Sequence, residues 1–79
     1  MIEHIVQLLK SIGFTDQEVS DLFTIIYNSI EQSKDPEQQV SNTLNYKFIE
    51  AFNLINEVFG GDWYNLIKTN TNEFKSKII

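Results

Sequence analysis

The chain has no cysteine, no arginine, one proline, one histidine and three glycines in 79 residues. Without cysteine, neither a disulfide framework nor a thiolate metal site can brace so small a fold. Without arginine, the bidentate reader of guanine is missing. All six basic residues are lysine, and they face eleven acids for a net charge of −5. Residues 1–60 carry nine of those acids against three lysines, while residues 61–79 carry Asp62 and Glu73 against Lys68, Lys75 and Lys77. A body of that sign repels a phosphate backbone and an anionic membrane surface alike. Long apolar runs are missing too, so no membrane span is expected. Met1-Ile2-Glu3-His4 lacks the basic region of a signal peptide. The expectation is a soluble, cytoplasmic protein. Eleven isoleucines and eight asparagines beside no arginine fit an AT-rich genome, which points to a bacterial or phage origin.

Residues that carry chemistry are equally sparse. His4 is the lone histidine and falls on the polar side of the first helix, where a solvated surface role is the simpler reading. One histidine and no cysteine do not make a zinc site. Gly60-Gly61-Asp62 lacks the length and the Lys-Ser/Thr ending of a phosphate loop, and a helix stop followed by a cap accounts for it. Glu50 and Glu57 are seven apart and share a helix face. Paired carboxylates need a cleft and displaced pKa values to do acid–base work. The expectation is a chain that is not an enzyme and takes no cofactor or metal.

What the chain has in quantity is helical punctuation between apolar stripes. Hydrophobic residues make up 42%, with six Phe, three Tyr and one Trp. At Gly13-Phe14-Thr15-Asp16-Gln17-Glu18-Val19, Gly13 suits the left-handed end of a helix. Thr15 and Glu18 have the spacing of a capping box, and Phe14 and Val19 that of a hydrophobic staple. Four helices are predicted, over about 2–12, 16–33, 36–59 and 62–77. The first holds Ile2, Ile5, Val6, Leu8, Leu9 and Ile12 on one face. The second has the stripe Val19, Leu22, Phe23, Ile26, Tyr27 and Ile30. Asp35 and Pro36 suit the cap and first position of the third. Its apolar face, Val40, Leu44, Phe48, Ala51, Phe52, Leu54, Ile55, Val58 and Phe59, reads as one rod of roughly 36 Å. The fourth follows Gly60-Gly61 with Asp62 as its cap and carries Trp63, Leu66, Ile67, Phe74 and Ile78. Thr69-Asn70-Thr71-Asn72 is a run of poor helix formers that can break it. A rival reading makes Trp63–Ile67 a short strand.

The expected fold is therefore all-α, a single-domain small four-helix bundle with antiparallel neighbours, with a homodimer open as an extra source of burial. Tyr46 and Ile49 project off the third helix's stripe, ringed by Asn42, Asn53 and Asn56 with Glu50 and Glu57 alongside. That is the composition of a modest protein-binding patch, unless a second neighbour wraps the helix and buries both. Tyr64, beside the double-glycine corner, is a second candidate. The function these residues point to is non-catalytic protein–protein interaction. The chain would be a small adaptor, inhibitor or accessory protein, with no nucleic acid or membrane as partner. The alternative is a helix-turn-helix DNA-binding regulator built on the first two helices. The second helix would then present Asp16, Glu18, Asp21 and Glu31 with no basic residue before Lys34, the wrong charge for a recognition helix.

Overall fold

Leu9, Lys10, Gly13 and Phe14 close the first helix, α1 (Ile2–Ser11), in the computed structural model, which describes residues 1–78. The Phe14 amide donates to the Leu9 carbonyl at 3.0 Å and the Gly13 amide to that of Lys10 at 3.1 Å, with Gly13 at φ 104°. This is the Schellman pattern, and its positive φ is the reason for a glycine. The second helix, α2 (Asp16–Glu31), opens on the predicted capping box. Thr15 Oγ1 accepts from the Glu18 amide at 3.1 Å, and Glu18 Oε1 accepts from the Thr15 amide at 2.9 Å. Phe14 and Val19 are both buried beside it. The same closing pattern ends α2, where Lys34 donates to Ser29 and Ser33 donates to Ile30. Here the positive φ, 53°, falls on Ser33.

Two predicted helices are each two. The stretch expected as one rod over 36–59 is α3 (Pro36–Asn42) and α4 (Tyr46–Phe59). Ser41-Asn42-Thr43-Leu44-Asn45 contains four poor helix formers, and the side chains of two of them, Thr43 and Asn45, bond to the local backbone instead. Thr43 Oγ1 donates to the Val40 carbonyl and accepts from the Asn45 amide. Asn45 Oδ1 then caps α4 by accepting from the Lys47 and Phe48 amides. Leu44, expected in the core, stands at φ 56° and is 81% exposed. A rod of roughly 36 Å would not fit a fold whose Cα extents are 27 × 26 × 25 Å. The helix expected over 62–77 likewise divides at Asn70 into α5 (Trp63–Thr69) and α6 (Thr71–Lys75). Asp62 precedes α5 but makes no side-chain cap bond. Trp63–Ile67 is helical, and no strand occurs among the described residues.

The architecture is all-α, with six helices among the described residues in place of the expected four-helix bundle. α2 is the hub: α1, α3 and α6 pack on it, while α4 packs on α1 and α3. Phe23 of α2 meets Phe74 of α6 at 4.5 Å between ring centroids, and both are fully buried. Phe52 of α4 meets Trp63 of α5 edge-on at 5.4 Å. Asn56 completes that contact, its Oδ1 accepting from Trp63 Nε1. Ile12, Leu66 and Val58 were expected in the core and are exposed; Val6, Leu8, Tyr27, Ile30, Leu54, Phe59 and Ile78 are half-buried.

Candidate interaction face on α4

The start of α4 is fixed by three contacts that converge on Lys47. Its Nζ lies 2.9 Å from both carboxylate oxygens of Glu18 and donates to the Gly13 carbonyl at 3.1 Å. It also sits 5.0 Å from the Phe14 ring centroid, within cation–π range. Phe14 in turn stacks on Phe48, one residue after Lys47, at 5.7 Å. The Lys47 hydrogen bond, helped by the Thr15 amide, holds the Glu18 carboxyl below its ordinary value. One lysine thus joins the α1–α2 corner to the first turn of α4. The side of α4 that bears Phe48 turns inward, and the opposite side is exposed.

The inward side is Phe48, Ala51, Phe52 and Ile55, all buried. At 100° per residue, the opposite side is Tyr46, Glu50, Asn53 and Glu57, spaced four, three and four apart. All four are exposed. Tyr46 is 78% exposed and makes no ring contact among the described residues. Leu44 stands two residues before it, at the strained corner. So Tyr46, Glu50 and Asn53 come together as one outward row.

The other predicted patch residues go elsewhere. Ile49 is half-buried against the core, because it lies between the inward and outward sides of α4. Asn42 ends α3 across the break and accepts from Gln38 Nε2 at 2.9 Å. Asn56 faces Trp63 and belongs to the packing. Tyr64 is half-buried in a separate hollow at the α2–α3 corner, with Ser33, Pro36 and Lys68. Lys68 lies 5.3 Å from the Tyr64 ring centroid. Burial, and after it the charge of Asp35, raises the Tyr64 pKa.

Beside the outward row runs a groove of about 430 Å³, between the α1–α2 corner and α4. Ile12 and Leu54 give it apolar surface over the buried Ala51, and Glu50, Asn53 and Glu57 its polar edge. Sequence reasoning missed both Leu44 and this groove. The Leu44 corner had a signal in Asn45, a good cap three residues before Phe48. The groove had none, because it depends on how the α1–α2 corner meets α4. His4 is exposed, and no group of three or more potential metal-ligating side chains occurs among the described residues. No helix among them is long and apolar enough to cross a membrane. No protein-family model matches the chain, and no curated protein or solved structure does either.

Proposed function

We propose that this chain is a non-catalytic protein-interaction module, an adaptor or inhibitor that presents the outward face of α4 to a protein partner. The observation that carries this reading is the pairing of Leu44 and Tyr46, two large side chains almost fully in water at one corner. A leucine at positive φ costs conformational energy, and leaving it solvated recovers none of that cost by burial. Tyrosine is a common anchor at the centre of protein interfaces. Glu50 and Glu57 continue the same row along α4, and the chain's net charge is −5. The complementary partner surface is therefore basic or apolar. A bacterial or phage-encoded inhibitor is one concrete form of such a protein.

The rival class is a DNA-binding regulator using α1 and α2. Asp16, Asp21 and Glu31 are exposed along α2, and their charge argues against it. The test compares wild type with Tyr46→Ala, after circular dichroism establishes equal folding. The interaction reading predicts that a partner recovered from native extract by the wild type is lost by the variant, and that random duplex DNA at low salt is not bound. Salt-sensitive binding to that DNA, with partner capture indifferent to Tyr46, would overturn it.

A further inference from the structure

The groove beside α4 has features that select one kind of occupant. From Lys47 to Glu57 it follows α4 for ten residues, roughly 15 Å at the helical rise, which matches about three turns of a guest helix. Ile12, 45% exposed, stands on one side, and Leu54 projects from α4 on the other. Ala51 forms the floor, and its small side chain leaves the hollow open. Val58, 55% exposed, lies one turn beyond Leu54 on the same side of α4 and extends the apolar strip.

The charge of the groove is one-signed. Its only lysine, Lys47, is committed to Glu18 and to the Gly13 carbonyl. Glu50 and Glu57 form no ion pair among the described residues. α4 also ends with no basic residue in its last turn, so its dipole adds partial negative charge near Glu57.

From these observations we infer that the groove seats an amphipathic helix of a partner protein, with a leucine-like stripe on Ile12 and Leu54 and lysine or arginine beside Glu50 and Glu57. The inference rests on the interaction reading above and deepens it by assigning partner chemistry. Helix-in-groove binding uses apolar anchors one turn apart, and the strip from half-buried Leu54 to exposed Val58 matches that spacing. A second copy of this chain is the poorer occupant. Of its six lysines, Lys10, Lys47 and Lys77 are held in ion pairs, and Lys68 and Lys75 lie over the Tyr64 and Tyr27 rings. A nucleic acid brings phosphates to an acidic groove and is excluded by sign.

The probe is a synthetic 18-residue helix of leucine and lysine, with a leucine–glutamate counterpart, titrated into the isotope-labelled full chain and followed by amide shifts. The expected result is that shifts map to Ile12, Ala51, Leu54 and Val58. The glutamate peptide should bind weakly or not at all. The Glu50→Lys/Glu57→Lys variant should bind the lysine peptide about tenfold more weakly. Both substituted residues are exposed and unpaired, so that variant keeps its fold. Shifts mapping elsewhere, equal affinity of the variant, or groove shifts caused by self-association on light scattering would each overturn the groove. If in addition Tyr46→Ala still abolishes partner capture, the broader interaction reading stands without it.

Discussion

Gly13 and Ser33 hold equivalent places in two copies of one helix-closing motif, and substitutions there should act in opposite directions. An added Cβ at Gly13 would meet nothing within 4 Å, so space is not the issue; the backbone at φ 104° is. Gly13→Val should therefore destabilise the fold by about 1 kcal/mol or more. Ser33 bears the left-handed conformation without being glycine, and Ser33→Gly should stabilise by about 0.5–1 kcal/mol. Urea unfolding of both variants checks the pair, and a shift of the same sign in each would refute the shared motif. The first corner was legible in the chain because glycine, threonine and glutamate each advertise one role there. The second was legible only as a cap, Asp35 with Pro36, because serine does not announce a positive φ. Leu44 was misassigned for a related reason. Its place in the apolar repeat outweighed the cap that follows it, and local hydrogen bonding by Thr43 and Asn45 decided the backbone.

At the scale of elements, α6 shows how tertiary packing rescues a short helix. Five residues, Thr71–Lys75, are too few to be stable alone in water. Phe74 supplies the missing energy by packing its fully buried ring against that of Phe23. Phe74→Ala should cost about 3 kcal/mol, a large part of the roughly 4–12 kcal/mol expected for a chain this size. A loss below about 1 kcal/mol in denaturant unfolding would mean that the segment is a loose tail. The helical class and the buried stripes of α1 and α2 were readable from periodicity, since each spans several turns without competing signals. The division at Thr43–Asn45 was harder, because periodicity continues through it and only the density of Ser, Thr and Asn marks the change. The division at Asn70 was legible in the run Thr69-Asn70-Thr71-Asn72. Asparagine inside a helix is also ambiguous: Asn56 has the chemistry of a rim residue and serves Trp63 instead. Only the Tyr46–Glu50–Asn53 row could be read from spacing alone, because all three residues lie opposite the buried Phe48, Ala51, Phe52 and Ile55, whereas Ile49 sits between the two sides.

For the whole molecule, two ion pairs join parts far apart in the chain. Lys47–Glu18 links α4 to the α1–α2 corner, and Lys77 reaches Glu3 at 2.7 Å to link the last described turn to α1. Hydrogen bonding to these lysines holds the carboxyls of Glu18 and Glu3 below their ordinary value of 4.5. A carboxyl with a lowered folded pKa stabilises the fold above its unfolded pKa. That contribution is lost as pH falls through the folded value. Thermal stability should therefore decline as pH drops below about 4.5, and Lys47→Met should make the decline shallower; an unchanged slope in the variant would remove the clamp from the account. The nearly equal dimensions of the fold follow from the helix breaks, which bend the chain back upon itself. They also leave α4 at the surface with one side packed and the other open to a partner.

The most direct test of that open side is light-activated crosslinking in living cells, with a photoreactive phenylalanine in place of Tyr46 and a control in place of Gln7, an exposed residue of α1. A discrete adduct to a different protein from position 46, and none from position 7, is the predicted result. No adduct at 46, adducts of equal yield at both positions, or an adduct of only twice the chain's own mass would contradict it.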